Sequence, residues 1–443
     1  MINASNASTI NHWIEEHREE IVDFCCKLIE YRSITGSEQE IQEKFLFPFV
    51  EKELDFDYKE LHYVTPEEKR PNVICFSKGE KRQLLLNGHV DVVDVPKVQL
   101  TRWQSDPWCP TIRDGKIFGR GASDMKGGIT CMLWAIKAIQ SVGWKTKNLG
   151  LELVVGEEHM DHMLGTTGAT RRLLERGCKF DFCLTLEPTN CEIHVASCGT
   201  FDFEVSVEGK ETHTANRNVM LYPQRWGIPC GDEVGVDAIA KIVDIVKLLQ
   251  KIERETAINL RHQILGGGGF PIPMDEQGLG SAFTINVSFI EGGSYIASVA
   301  GNAKITCQCY YPPSMQFEMV KKLIAEAIEN YSKTDSWLKN HPPKITFAKS
   351  FHWPPYQTSM EHPVAQMLAK VHEKVTGRKA IFSGTKGVND ITFIQELGIP
   401  GASYGPGNIF MNIHGPNEYI PIEQLIETTK TLAHFIIEYC NIS

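Results

Sequence analysis

No stretch of this chain approaches the roughly 20 consecutive apolar residues that a membrane-spanning helix requires, so no span through a bilayer is expected. Long runs of Lys or Arg are also missing. With 45 basic against 55 acidic residues and a net charge of −10, neither nucleic acid nor an anionic membrane surface is an expected partner. Among 13 cysteines there is no Cys-x-x-Cys pair, and the number is odd. Cys75, Cys131 and Cys183 lie inside apolar runs, which reads as reduced, buried cysteine rather than a disulfide framework. The opening residues, MINASNASTINHW, lack the basic-then-apolar order of a secretory signal, so the expected location is cytoplasmic. The Gly run at 266–269 has no Gly-Lys-Ser/Thr after it and is read as a mobile connection, not a phosphate loop. Internal repeats are absent.

What is present is an alternation. Apolar residues at Ile10, Trp13, Ile14, Ile21, Phe24 and Leu28 predict a helix over 9–31, and a second helix is expected over 38–54. The runs VICF (73–76), LLLNGH (84–89), LELVVG (151–156) and DFCLTLE (181–187) predict buried strands, with helices over 127–142 and 168–177 between and after them. Such an order argues for an α/β domain built on a helix-covered, mostly parallel sheet. Near Ser197 the pattern changes. TFDFEVSVEGKETHT alternates with period two; a helical run at 235–255 and two further strand-like segments, 282–293 and 303–311, follow. These predict a small inserted α+β domain over 198–313, flanked by the two parts of the larger one, 1–197 and 314–443. A closing helix presents Leu425, Leu432, Phe435 and Ile436 on one face.

Five apolar runs end in metal-type side chains: His89 and Asp91; Asp124; Glu157 and Glu158; Glu187; His414. In an open α/β sheet ligands gather where strands end, so these segments are expected to converge. Imidazole and carboxylate suit zinc, a pair of metals needs a shared carboxylate, and a free carboxylate must take a proton from water. One stretch, GEEHMDHMLG at 156–165, packs two Glu, two His and an Asp into six positions. His159 and His162 are three residues apart, but the order is not His-Glu-x-x-His. They and Asp161 are expected to line the cleft or cap the next helix rather than bind metal.

The joint order of NGHVDVV, the segment from Trp103 to Gly128, VVGEE, LEPT, EGKETHT and IHGPNEYI resembles the di-zinc deacylase and exopeptidase superfamily. That superfamily includes acetylornithine deacetylase, succinyl-diaminopimelate desuccinylase, aminoacylase and carboxypeptidase G. The resemblance runs from LIEYRSITGSE to the last helix. It implies two divalent ions, Zn2+ first and Co2+ or Mn2+ as substitutes. His89 and Glu187 would hold one, Glu158 and His414 the other, and Asp124 would bridge. Asp91 would orient His89, Glu157 would be the general base, and His213 would stabilise the oxyanion from a partner subunit. It also implies a homodimer through the inserted lid domain, and a cis peptide at Asp124–Met125.

Three departures bear on substrate. The HMDHM turn replaces a glycine-rich one. Ala297 and Tyr310 stand where relatives carry an Asn and a carboxylate-gripping Arg, so the substrate lacks that carboxylate or Arg217 or Lys386 holds it. Asp390, with Asn389, is the counterpart of a shorter turn in relatives. The long segment 213–239 is similar to relatives that remove small N-acyl groups, a formyl-aminopyrimidine hydrolase of thiamin salvage among them. The function expected is therefore a metal-dependent amidohydrolase acting on a small N-acylated amine or amino acid. The alternatives are a metallo-exopeptidase and, in another class, a non-catalytic binding protein on the same fold.

Overall fold

A computed structural model describes residues 4–79, 82–222, 224–259, 262–265 and 282–440; the glycine run at 266–269 lies outside them. Two compact units result: Met1–Ala196 with Tyr356–Gly384 and Asn389–Ser443, and Ser197–Pro355 with Thr385–Val388.

In the larger unit the apolar runs form buried strands, as their composition requires. Leu84, Leu85, Leu86, Leu151, Leu153, Phe182 and Leu184 are all fully buried. Among the described residues the sheet has nine strands. Its centre runs Leu149–Val154, Gln83–His89, Phe180–Thr185, Gly401–Ser403, each parallel to the next. Antiparallel neighbours follow on both sides, at Asn72–Ser77 and Ile193–Ser197. A parallel centre must be covered on both faces. Helix Gly127–Ser141 is buried almost all round, and Ile422–Cys440 packs beside it. Gly128 allows that first helix to approach: a Cβ there would stand 2.0 Å from the Leu186 carbonyl oxygen. The helix expected over 9–31 is two, Ala4–Glu16 and Arg18–Glu30. At the junction the His17 ring stacks on the Trp13 indole and donates to the Trp13 carbonyl (2.8 Å), which also accepts the His17 backbone N–H (3.1 Å). All thirteen cysteines are free.

The smaller unit is an antiparallel sheet in the order Thr284–Gly292, Asn302–Tyr311, Gly199–Glu208, Lys344–Trp353. Buried and half-buried residues alternate along Asn302–Tyr311, so the period-two pattern marks one covered face. Helices Ala238–Asn259 and Phe317–Thr334 contribute to its core: Ile242, Ile245 and Leu249, with Val320, Ile324 and Ile328, pack with Phe203, Val205 and Ile305. This unit thus extends past the expected limit at Pro313 as far as Pro355. The apolar stripe of the second helix is visible in the sequence; which sheet it covers is not.

A polar row crosses three of the buried central strands. Asn87 stands opposite Glu152 on one side and Thr185 on the other. Its amide donates to Glu152 (2.9 Å) and Thr166 (3.1 Å), its oxygen accepts from Thr185 (3.0 Å), and Thr170 donates to Glu152 (3.0 Å). Burial pushes the Glu152 carboxyl up to about 8, against the opposing pull of the Asn87 and Thr170 hydrogen bonds. Folding therefore favours the protonated form. Its contribution to stability is full below the ordinary value of 4.5 and is lost as pH rises through about 8. Calorimetry on metal-free protein checks this: Glu152→Gln should gain melting temperature relative to wild type as pH goes from 4.5 to 8. A difference that stays flat across that window would show that Glu152 does not titrate there.

Candidate metal centre

His89 is the last residue of its strand and lies opposite Val154. Glu157 and Glu158 follow just beyond Val154, and Glu187 follows just beyond Thr185, so parallel strands deliver four of the expected residues to one sheet edge. Asp124 sits on the turn before helix Gly127–Ser141, where the Asp124–Met125 peptide is cis. His414 lies on the loop ahead of the short strand Tyr419–Pro421, with a left-handed backbone (φ 60°).

One oxygen of Asp124 is 3.1 Å from Nε2 of His89, and the other is 3.5 Å from Nε2 of His414. Glu187 Oε1 stands 3.8 Å and Glu157 Oε2 4.0 Å from the same His89 nitrogen. Glu158 is 3.0 Å from His414. Ligand atoms of His89, Asp124 and Glu158 all lie within 4.8 Å of one another. Nδ1 of His89 donates to the Asp91 carbonyl at 3.0 Å, which leaves the Nε2 lone pair facing the carboxylates. All five expected ligands thus come together, around the two oxygens of Asp124.

Burial pushes the Glu157, Glu158 and Glu187 carboxyls up, and repulsion among neighbouring carboxylates adds to it. Burial resists charging of His89, but contact with Asp124 and the nearness of Glu157 and Glu187 outweigh it and raise its pKa. His414 rises to about 10 on contact with Asp124 and Glu158. Glu187 Oε1 is buried with no hydrogen-bond partner. Oxygen and imidazole donors crowded at this spacing, with an orphaned carboxylate oxygen among them, fit divalent cations better than they fit one another.

The carboxylate of Asp91 differs from expectation. It is 3.7 Å from the His89 ring. Its oxygens instead accept the backbone N–H groups of Glu157 and Glu158 (both 3.2 Å) and the Thr35 hydroxyl (2.8 Å). Asp91 touches His89 through its carbonyl and holds the Glu157–Glu158 turn through its side chain.

The rest of the 156–165 stretch lies outside the cluster's contacts. Asp161 pairs with Arg70 (2.6 Å), which also binds the buried Glu38 through two nitrogens (2.6 and 3.0 Å). His162 stacks flat on Phe393, centroids 3.6 Å apart, and its Nδ1 contacts the Thr167 hydroxyl at 2.9 Å. His159 is exposed and outside the cluster. Asn389 and Asp390 are buried at the start of helix Ile391–Glu396, with the Asn389 amide donating to Ser403. Neither presents itself to solvent, so the expected substrate contact gains no support from their placement.

In the smaller unit, His213 is exposed and its Nδ1 accepts from the Ala215 N–H. Arg217 is paired with Asp237 at 2.8 Å. The Tyr310 hydroxyl accepts from Gln308. Sequence reasoning missed Arg70 and Glu38, whose only signal was opposite charge far apart in the chain.

Residues 85–438 match the family model described as Peptidase family M20/M25/M40. An N-formyl-4-amino-5-aminomethyl-2-methylpyrimidine deformylase of Halalkalibacterium halodurans is 31% identical over 84% of this chain and 83% of its own. The protein of that name from Bacillus subtilis is 29% identical over 97% and 96%. Among solved structures, a tripeptidase from Staphylococcus aureus superposes with a TM-score of 0.69 at 19% identity, covering 96% of this chain and 99% of its own. Among the described residues no helix is long and apolar enough to cross a membrane.

Elemental analysis of purified variants separates the two halves of the 156–165 stretch. Glu158→Ala and His89→Ala should lose metal, whereas His159→Ala and His162→Ala should keep the wild-type content. Arg70→Met should unfold more readily by about 3 kcal/mol, the scale for breaking a buried ion pair. Loss of metal from His159→Ala or His162→Ala would overturn the assignment.

Proposed function

Since the chain belongs to peptidase family M20/M25/M40, we propose that it removes a small N-acyl group with the help of two Zn2+ ions. It is a metal-dependent hydrolase of amide bonds. The observation that carries the finer reading is Asp124, whose two oxygens face two different imidazoles. On this reading His89 and Glu187 hold one ion, Glu158 and His414 the other, and Asp124 is shared. Co2+ or Mn2+ would substitute. The two ions, when bound, supply Lewis acidity to the amide carbonyl and lower the pKa of water.

The protein's own contribution starts with Glu157. It is nearly buried and lies beside His89 without being in contact with it. Its raised proton affinity suits a base that takes a proton from water and returns it to the departing amine. His213 is the group proposed to steady the oxyanion. An N-formyl group on an aminomethylpyrimidine is the leading substrate, because the two deformylases match over most of the chain. Tyr310 supports it: a phenol cannot grip a carboxylate as a planar guanidinium does, which weighs against a dipeptide or C-terminal residue.

A homodimer is also proposed. Strand Thr284–Gly292 is an edge of its sheet and exposes Phe289 and Ile290, and helix Ala238–Asn259 exposes Ile239 and Val243. Such an edge calls for a covering partner. The free cysteines fit a cytoplasmic setting.

Chelation should abolish hydrolysis and Zn2+, Co2+ or Mn2+ should restore it. Glu157→Gln should retain metal yet lose about 10²–10⁴ in kcat, and His213→Ala should lose kcat with metal content unchanged. Assayed on N-formyl, N-acetyl and N-succinyl amines and on dipeptides, the enzyme should prefer the formyl substrate. Preference for a dipeptide, or activity that survives full metal removal, would sink the reading. By light scattering the wild type should be a dimer and Phe289→Asp with Ile290→Asp a monomer; an unchanged mass in the double variant would place the interface elsewhere.

A further inference from the structure

Glu418 lies in the same loop as His414, is 1% exposed, and takes no part in the chemistry above. Its carboxylate nevertheless accepts four hydrogen bonds. Oε1 takes the backbone N–H groups of Ser123 (3.0 Å) and Asp124 (3.1 Å). Oε2 takes the N–H of Gly121 (3.0 Å) and Nη1 of Arg120 (2.7 Å), itself 1% exposed. The backbone adds to this, since the Gly119 N–H donates to the Glu418 carbonyl at 3.0 Å and Tyr419–Pro421 pairs with Lys116–Phe118. Gly121 has φ +80°, and a Cβ there would meet Val92 at 2.6 Å, so the turn is tightly specified. Asn417, one residue earlier, accepts from the Gln104 N–H (2.7 Å) and donates to the Arg102 carbonyl (3.0 Å).

The turn that carries Asp124 and the loop that carries His414 are therefore tied together, and the Glu418 side chain is the link that reaches the Asp124 backbone itself. We propose that Glu418 is a positioning residue for both metal ions. It fixes the Asp124 backbone so that the two carboxylate oxygens face different imidazoles, and it ties the His414 loop to that same turn. The inference rests on the metal-site reading above. Only a carboxylate satisfies the geometry. Two oxygens accept from four donors, and an amide would set its own N–H₂ against N–H groups that need an acceptor. A buried Arg120–Glu418 pair serving stability alone would need none of the three backbone bonds.

The test uses the full chain. Wild type, Glu418→Gln and Glu418→Asp are titrated with Co2+ and Zn2+ against a competing chelator, and the visible d–d bands of the cobalt forms are recorded. Ile242→Ala, a core truncation in the smaller unit, is the control for lost stability. The expected result is about 10–100-fold weaker binding of at least one ion in Glu418→Gln, the scale for residues that orient metal ligands. Altered cobalt bands and a lower kcat at saturating metal should accompany it. Glu418→Asp, which keeps both acceptors on a shorter arm, should also bind metal more weakly, and decides the matter if Glu418→Gln does not fold. Wild-type affinity and bands in a folded Glu418 variant would overturn the inference while leaving the metal site intact, as would equal weakening in Ile242→Ala. A wild type that takes up neither metal would overturn the metal-site reading itself, and this inference with it.

Discussion

Carboxylates that repel one another must be held within a few ångströms at the ends of parallel strands. Glu157, Glu158 and Glu187 are pushed toward their neutral forms by burial and by each other, and among the described residues two imidazoles are the cationic groups in contact with the cluster. Left to itself such a cluster would spread. The fold prevents this by fixing backbone rather than side chain. The Asp91 carboxylate accepts the N–H groups of Glu157 and Glu158, and the Glu418 carboxylate accepts those of Ser123 and Asp124. In both places a buried anion binds consecutive amides and so sets the direction of the acidic side chains that those amides carry. The energy stored in the crowding is what a divalent ion would release.

The same logic explains the turn at 156–165. Glu157 and Glu158 are tethered by Asp91 at the start. Farther on, Asp161 is tied to Arg70 and Glu38, and His162 is pressed on Phe393. Adjacent glutamates can therefore point to different places, one toward His89 and one toward His414. Of the two histidines that look like ligands in the sequence, His162 packs on Phe393 and contacts Thr167 at the turn's far end, and His159 is exposed.

The sequence was informative where function coincides with the end of a buried strand. His89, Glu157, Glu158 and Glu187 are each preceded by a short apolar run, and that is a local signal. Asp124 and His414 were picked out in the same way, and the family resemblance supplied only the roles assigned to them. Glu418 and the hydrogen bonds that the Asp91 carboxylate accepts were hidden, because a side chain that accepts backbone N–H groups from a distant segment leaves no pattern of residue types. The boundary of the smaller unit was hidden for a related reason. Helix Phe317–Thr334 announces its apolar stripe, yet the core that the stripe joins is shared with strand Gly199–Glu208, over a hundred residues earlier, as well as with the neighbouring Asn302–Tyr311.

Beneath the metal-type residues lies a second polar layer that has no counterpart in a simple hydrophobic account of a parallel sheet. Asn87, Glu152, Thr166, Thr170 and Thr185 are linked by hydrogen bonds, with Asn87 two residues before His89 in its strand. A leucine at any of these places would leave at least one other member short of a partner, at a cost of about 1–3 kcal/mol for each buried group left so. The network's register with His89 is fixed by the strand, so a slip would move the ligand as well as break the network. The polar row thus acts as a key for strand register at the level where a one-residue error would turn His89 away from Asp124.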